Sequence, residues 1–495
     1  MFQARLVVVV LSLAIAVSCV GRPFDETRGV TVVELQRRYA QALDKDVDIL
    51  FIVDSSGSMD DEQAALAKNF PQLIEALRVP ELGNRLPNVH IGVITPDLGV
   101  PGGGLDRCSQ NGDGARLRRP TTCGASLPTD AYITYDPDSN QTNIPGSGDP
   151  IQRVKDAFSC MAKVGTSGCG FEQQLEAARR ALDPELNINP GFLRPGARLV
   201  LVFITDEDDC SAHNATLYSE AHTGPLGPLH SFRCFEFGFT CNINDRTVSG
   251  PRTECTPRSD YLHDVQTRYV EFFKRLKPQG RTIVANIATP TGRIEVRYGA
   301  DDKQADLVSP CPGNDDAKPA LRLEAFSKAF NKEGSFDSIC SGDFSAPLAR
   351  LGERIVANLG GQCVPGALLD GNGGLVCRAG DALGPAASGA ACQQSCLQQA
   401  SCTVTDVAPD GAQTALARCA PAQFDDPNNT SCGETCPCWR IVPRAECGKN
   451  GSPPYGFEIL RREEAPVGTT ATFRCRGALA GWTSPEVLDI AQCQK

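Results

Sequence analysis

Two short segments of the sequence carry oxygen-bearing side chains at a spacing that could hold a metal ion. Asp54, Ser56 and Ser58 follow one apolar run, and Asp206 comes shortly after another. Carboxylate and hydroxyl oxygens are ligands for hard cations rather than for softer metals. These residues predict a divalent-cation site, with Mg²⁺ as the first candidate and Mn²⁺ or Ca²⁺ as alternatives. The alternative without a metal ion is a strand-to-helix turn in which Ser and Asp cap the helix.

The apolar runs predict the elements that position these residues. Four continuous runs are typical of strands buried on both faces: 47–53, 89–94, 199–204 and 283–287. Helical periodicity occurs in these segments: 171–182, 261–276 and 344–359. The alternation predicts an α/β fold with a doubly wound, mostly parallel sheet. Ligands of such sheets bind beyond the carboxyl ends of the strands, where Asp54 and Asp206 stand.

The two segments carry a family resemblance. Asp-x-Ser-x-Ser at 54–58 after a buried strand, with Ile-Thr-Asp at 204–206 ending a later one, resembles the von Willebrand factor A (VWA) domain. This is the fold of integrin inserted domains and many bacterial adhesins, and the resemblance covers residues 46–360. It implies that Asp54 and Asp206 hold the ion directly or through water while both serines coordinate through Oγ. A carboxylate of a partner protein would complete the shell, which implies adhesion rather than turnover.

The sequence departs from the family at one ligand. The family usually supplies a Thr from the loop before the helix that begins here near Phe171, but Cys169 stands near the expected position. Three residues are candidates for the missing oxygen: Thr166, Ser167 and Glu172. A Cys160–Cys169 disulfide would be one way to reshape this loop and bring a hydroxyl to the ion.

Asp61 is a weaker candidate for a metal ligand. It resembles part of the acidic pair beside this motif in integrin β chains, where a second, Ca²⁺-binding site lies. The alternative is a solvated carboxylate, which is favourable in the first turn of a helix.

The N-terminus and the cysteines predict the compartment. The apolar run 6–17 has the length of a signal-peptide core, and the Ala-Val-Ser-Cys at 16–19, where the run ends, resembles a bacterial lipobox with Cys19 as the lipidated residue. The other 22 of the 23 cysteines can pair completely, as expected in an oxidising compartment. We expect a signal peptide at 1–18 and a lipidated tether at 19–45. Val20 favours the outer membrane, and ordinary secretion is the alternative.

The cysteines also divide the chain. Twelve follow residue 361 and ten lie in 46–360, so both counts are even. We therefore expect two separately paired units, a VWA domain at 46–360 and a small, cysteine-rich, disulfide-held domain at 361–495. The tether before them carries a short helical pattern at 33–43.

Segment 46–360 is longer than the family fold requires. The additional residues form three insertions, each of which follows a predicted strand. These insertions should emerge on the metal face as a disulfide-stapled collar: 96–150, 207–258 and 290–319. Their cysteines fall into three sets: Cys108 with Cys123; Cys210, Cys234, Cys241 and Cys255; and Cys311 with Cys340. The collar would either narrow the choice of partner or cover the site and make the ion structural.

Composition and motifs limit the classes of function that this protein could have. A net charge of −11 disfavours a nucleic-acid partner. The leading interpretation is a membrane-anchored, extracytoplasmic protein that binds a protein or matrix ligand offering a carboxylate, through a divalent ion. The alternative is a lipid-anchored structural scaffold of an envelope complex with a structural or silent metal site. An enzyme using the acidic run 206–209 is not expected, because no base, nucleophile or cofactor motif accompanies it.

Overall fold

The computed structural model describes most of the chain between residues 33 and 479. The described residues are 33–40, 45–79, 82, 84–102, 105–120, 124–219, 224–278, 280–299, 303–359, 364, 366–369, 371, 399–408, 410–420, 436–443, 455–462 and 469–479. The predicted signal peptide and Cys19 lie outside them. Among the described residues, no helix is long and apolar enough to span a membrane.

The described residues form strands and helices with the following bounds. The strands are β1 (Val33–Ala40), β2 (Asp46–Val53), β3 (Asn88–Ile94), β4 (Ile133–Asp136), β5 (Gln141–Thr142), β6 (Arg198–Thr205), β7 (Phe239–Thr240), β8 (Gly250–Pro251), β9 (Thr256–Pro257), β10 (Thr282–Ala288), β11 (Glu295–Tyr298), β12 (Ala305–Leu307), β13 (Gly334–Ser338), β14 (Gly366–Leu368), β15 (Cys402–Val407), β16 (Gln413–Arg418), β17 (Cys438–Pro443), β18 (Tyr455–Leu460) and β19 (Thr470–Leu479). The α-helices are α1 (Asp60–Ala76), α2 (Pro150–Met161), α3 (Gln174–Leu182), α4 (Phe232–Glu236), α5 (Glu271–Leu276), α6 (Leu321–Lys328) and α7 (Ser345–Asn358).

The sheet that carries the candidate site is mostly parallel. Its order is β13-β10-β6-β2-β3-β4-β5, with only β4 and β5 antiparallel, at one edge. Leaving aside the two-residue β5, this is the doubly wound order 3-2-1-4-5-6. The order reverses between the neighbours β2 and β6, which is where such sheets bind ligands. The predicted mixed α/β class and the four predicted strands are confirmed.

Both faces of this sheet are covered, which explains the continuous apolar runs. Phe51 and Val53 pack in one hydrophobic cluster with residues of α1, α2 and α7. Leu50 and Ile52 point the other way and pack with residues of α3, α5 and α6. Because successive residues of a strand face opposite sides, a strand covered on both sides needs apolar residues at every position.

Disulfides hold the long insertions. Three pairs fall within the predicted sets: Cys210–Cys234, Cys241–Cys255 and Cys311–Cys340. Cys108, however, pairs with Cys169, so the Cys160–Cys169 bridge and the grouping of Cys108 with Cys123 are wrong. Cys108 and Cys169 are buried in one cluster with Val100, which brings the first insertion against the loop before α3. Disulfides of this number are typical of an oxidising compartment outside the cytoplasm.

The second sheet joins two distant parts of the chain. Its order is β1-β19-β15-β16-β17-β18, with β14 also on β19, and every residue of β1 pairs antiparallel with β19. The helical pattern predicted at 33–43 is therefore wrong. Val33, Leu35 and Tyr39 are also separated by even numbers of residues, as expected for one face of a strand. In so short a segment, the spacing of apolar residues does not distinguish a helix from a strand. Among the described residues, a disulfide joins Cys402 of β15 to Cys475 of β19, and another joins Cys419, the residue after β16, to Cys438 of β17.

Candidate metal site

Asp54 follows the last residue of β2 and makes hydrogen bonds to residues of the neighbouring strand β6. Its amide donates to the Ile204 carbonyl of β6 at 2.9 Å. Its carboxylate accepts from the Ser56 amide at 2.8 Å through Oδ1 and from the Thr205 hydroxyl at 2.6 Å through Oδ2. The side chain is completely buried, and this burial raises the pKa of Asp54 despite the hydrogen bonds. The orientation of this carboxylate is therefore fixed before any ion binds.

Two glutamines complete the support of the turn. Gln174, the first residue of α3, donates from Nε2 to the Thr205 hydroxyl at 3.0 Å. Gln63 of α1 donates to the Asp54 carbonyl and accepts from the Gly165 amide, at 2.9 and 3.1 Å. Neither glutamine is predicted as part of the site, since a polar residue on a helix is ordinarily solvated.

The two serines of the motif face each other. Ser56 Oγ and Ser58 Oγ lie 3.2 Å apart. Ser56 is buried, Ser58 is half-buried and the intervening Gly57 is exposed. The hydroxyls therefore stand between the buried carboxylates and the surface.

Asp206, just after β6, is the least satisfied side chain of the site. It is completely buried, and neither carboxylate oxygen has a hydrogen-bond partner among the described residues. Burial raises the pKa of Asp206 to about 7, with the nearby carboxylates of Asp54 and Glu62 adding to the effect. Its backbone carbonyl is fixed by the Lys318 amide at 2.7 Å and the Thr289 hydroxyl at 2.8 Å. A buried carboxylate without a partner is stabilised either by taking up a proton or by binding a cation.

Further carboxyl groups lie close to Asp54 and Asp206, and their pKa values are raised. Burial raises the pKa of Glu172 well above its ordinary value, with Glu207 and Asp54 adding to the effect. The pKa of Glu207 is raised to about 8 by burial, Asp206 and Asp54. Burial also raises the pKa of Glu62, together with the charges of Asp61 and Asp54. Neither Glu62 nor Glu207 is among the predicted ligands. Glu207 follows Asp206 in the acidic run 206–209, whereas Glu62 of α1 comes close to the site only in the folded chain.

The other predicted ligands lie around the site with different roles. Thr166 is half-buried and Ser167 is exposed. Glu172 lies close enough to Glu207 and Asp54 for their charges to raise its pKa further. Asp61 is exposed in the first turn of α1, as a solvated carboxylate would be.

The residues present fit a hard cation that uses hydroxyl ligands. Within the described part of the chain, no three His, Cys, Asp or Glu side chains converge as a metal-binding group. An ion between Asp54 and Asp206 therefore needs oxygens from Ser56 and Ser58. Neutral hydroxyls and carboxylates together suit Mg²⁺, Mn²⁺ or Ca²⁺.

Comparisons with known proteins assign no family. No protein-family model and no curated protein matches the chain. Among solved structures, the chain is similar to the crystal structure of the pilus adhesin SpaC from Lactobacillus rhamnosus GG in its open conformation, with 12% identity and a TM-score of 0.32. The match covers 92% of this chain and 42% of that one, so the chain spans less than half of the adhesin's length. A score this low assigns neither fold nor function.

Proposed function

We propose that the protein is an extracytoplasmic binding protein of the VWA type that captures a partner through a divalent cation. Asp54, Ser56, Ser58 and Asp206 would hold the ion, with Mg²⁺ as the first candidate. The partner would be a protein or matrix ligand that offers a carboxylate. Cys19 would carry the lipid that anchors the chain to the outer membrane.

The unpartnered carboxylate of Asp206 carries this proposal. It lies buried beside Asp54 at the point where the strand order of the sheet reverses, and no described side chain neutralises it. A cation there would relieve the repulsion between the two carboxylates. The strand order and the two facing serines support the same interpretation.

The surface above the site supports an open coordination position. Gly57 is exposed between the serines, and Ser58 is half-buried. A Cβ atom at Gly57 would lie 3.0 Å from Nη1 of Arg107, so this guanidinium stands next to the turn. Neutral hydroxyl ligands leave positive charge on the ion, and Arg107 adds to it. An acidic group of a partner would be attracted to this surface.

A structural ion is the second candidate function, within a lipid-anchored scaffold of an envelope complex. The complete burial of Asp54 and Asp206 favours it, because an ion held that deep is shielded from a partner. The two functions differ in whether an external carboxylate reaches the metal.

Acetate and Mn²⁺ distinguish the two functions. Mn²⁺ is paramagnetic, so it broadens the methyl resonance of an acetate ion that coordinates it. We expect broadening with the wild-type chain and none beyond the free-metal level with a Ser56→Ala/Ser58→Ala variant. Mn²⁺ binding without broadening would support the structural ion. Absence of Mn²⁺ binding would contradict both ion-dependent capture and a structural ion, and would leave the scaffold with a silent metal site.

The lipid anchor is tested separately. The intact chain expressed with its N-terminus should carry acyl mass on Cys19 and partition into detergent. Cys19→Ser should abolish both properties, as measured by mass spectrometry and phase partition. Unmodified Cys19 in the mature wild-type chain would contradict the anchor.

A further inference from the structure

An open polar groove lies between the first and second insertions. Its volume is about 700 Å³. The residues that line it lie within 98–116 of the first insertion and 212–218 of the second, together with Gln173 and Arg180 of the α3 region. The two insertions follow β3 and β6, which run parallel to β2. The groove therefore lies at the same edge of the sheet as the candidate metal site.

The wall that the first insertion contributes is closely packed. A Cβ atom at Gly99 would lie 2.1 Å from the Ser109 carbonyl oxygen, and one at Gly112 would lie 2.4 Å from the Asp97 carbonyl oxygen. Both glycines have positive φ, 66° and 52°, which glycine adopts without steric cost. Gln173 donates from Nε2 to the Gly99 carbonyl at 3.0 Å and joins this wall to the start of α3. The shape of the groove is therefore set before a ligand binds.

The charged residues that line the groove are mostly basic. Arg116 and Arg180 are both exposed, and the Arg180 side chain stays 45% exposed although its Nε donates to Glu176 at 3.0 Å. Asp113 is the only carboxylate among the described residues that line the groove, and its Oδ2 accepts from Arg118 at 3.3 Å. In a chain with a net charge of −11, this basic surface would attract an anionic ligand.

The other polar residues of the groove favour a peptide over a small molecule. Gln110 and Asn111 are exposed on one side. His213 is exposed on the other side, where its Nε2 donates to the Ser259 carbonyl at 2.9 Å and fixes the ring. Tyr218 also lines the groove but is buried. Small-molecule sites are mostly apolar and aromatic, so a groove with this polar lining better fits a segment of a protein.

We propose that this groove binds an acidic segment of a partner protein, whose carboxylates pair with Arg116 and Arg180. Clustered arginines are a recurring means of recognising acidic segments, because a guanidinium group can donate two parallel hydrogen bonds to one carboxylate. This binding needs no metal ion, so it goes beyond the proposed function and does not depend on it. A partner that follows this edge of the sheet would contact both the groove and the metal site.

Peptide binding to the intact, metal-free chain tests this site. The probe is a fluorescein-labelled octaglutamate peptide, followed by fluorescence anisotropy in EDTA at low ionic strength. The wild type should bind it, and Arg116→Ala and Arg180→Ala should each weaken binding roughly fivefold or more, because each removes hydrogen bonds between charged groups. Arg297→Ala is the matched control. It removes the same charge from an exposed residue outside the groove and should leave the affinity unchanged.

Two further measurements separate recognition from general effects of charge and folding. Arg116→Lys keeps the charge and should retain more affinity than Arg116→Ala. Arg180→Ala leaves Glu176 paired with Arg268 at 2.9 and 3.1 Å, so its urea midpoint should stay close to that of the wild type. Polygalacturonate, an acidic polysaccharide, should not displace the peptide at an equal concentration of carboxylates.

Three results would overturn the proposal: no binding of octaglutamate by the wild type, wild-type affinity in either alanine variant of the groove, or displacement by polygalacturonate. Failure of the proposed function would appear separately, as absent Mg²⁺ and Mn²⁺ binding, because the peptide is measured in EDTA.

Discussion

Thr205 connects the two strands that frame the candidate site. Its hydroxyl donates to Asp54 and accepts from Gln174, so it orients a proposed ligand without touching the ion. Outer partners of metal ligands typically contribute about 10–100-fold to metal affinity. Thr205→Val keeps the shape and removes the hydroxyl, and should weaken Mg²⁺ binding by roughly tenfold or more in isothermal titration calorimetry.

Thr205→Ser is the matched control, because it keeps the hydroxyl and loses only a methyl group. Its Mg²⁺ affinity should stay close to that of the wild type. Equal affinity in the valine variant would show that the orientation of Asp54 does not depend on Thr205.

Asp206 and Glu207 should make the metal-free protein sensitive to pH. Burial raises the pKa of these carboxyls to about 7 and about 8, with neighbouring carboxylates adding to the effect. A group whose pKa is higher in the folded chain stabilises the fold below its unfolded value, and this stabilisation is lost as pH rises through the folded value. The free energy of unfolding in EDTA, measured by urea denaturation, should therefore fall between about pH 4 and pH 8.

Bound metal should reverse this trend. The ion binds deprotonated carboxylates, so the stabilisation that Mg²⁺ adds should grow with pH. Asp206→Asn should flatten the fall seen in EDTA. A wild-type free energy that rises across the same range in EDTA would show that these carboxylates are not protonated in the fold.

At the scale of elements, the loop 165–170 depends on close packing against the motif. The Gly168 amide donates to the Ser55 carbonyl at 2.8 Å, and a Cβ atom at Gly168 would lie 2.2 Å from Ser55 Oγ. Gly168→Ala must displace one of the two segments. We expect a loss of about 1–3 kcal/mol in stability, typical of overpacking, together with weaker Mg²⁺ binding.

Gly170 provides the control within the same loop. A Cβ atom there meets no atom within 4 Å, so Gly170→Ala should change neither the urea midpoint nor the Mg²⁺ affinity. Equal effects of the two substitutions would show that the loop does not support the site through Gly168.

At the scale of the whole molecule, the second sheet should depend on the N-terminal strand. Removing residues 33–40 deprives β19 of the antiparallel partner β1. Each lost backbone hydrogen bond contributes about 1 kcal/mol, so the second sheet should lose several kcal/mol of stability. Both tryptophans, Trp439 and Trp482, follow residue 361, so tryptophan fluorescence reports on this part of the chain.

The predicted result is a lower urea midpoint by fluorescence with Mg²⁺ binding retained. Trp439 is a suitable reporter, because it is buried beside Phe457 and Phe473. An unchanged midpoint would show that the pairing of β1 adds nothing to the second sheet.

Structural features that depend on local sequence patterns could be predicted from the sequence. Features that depend on contacts between distant parts of the chain could not. The doubly buried strands β2 and β6 were predicted because each is a continuous apolar run, and Asp54 and Asp206 follow from where those runs end. β1 was missed because its partner lies near the other end of the chain. The Cys108–Cys169 pair was missed because the packing of two distant loops selects it, and the burial of Glu172 and Glu207 depends on the insertions around them.

Thermal unfolding of the intact chain with and without Mg²⁺ tests the central claim, that Asp54 and Asp206 hold a divalent cation. An ion at 100 times its Kd adds about 2.7 kcal/mol. Because 1 kcal/mol shifts the Tm of a domain of 150–250 residues by about 2–4 °C and larger units by less, the Tm of this chain should rise by a few degrees. The wild type, followed by circular dichroism, should show this shift, and Asp54→Asn should show none. A wild-type chain that unfolds at the same temperature in EDTA and in saturating Mg²⁺, Mn²⁺ or Ca²⁺ would contradict the claim.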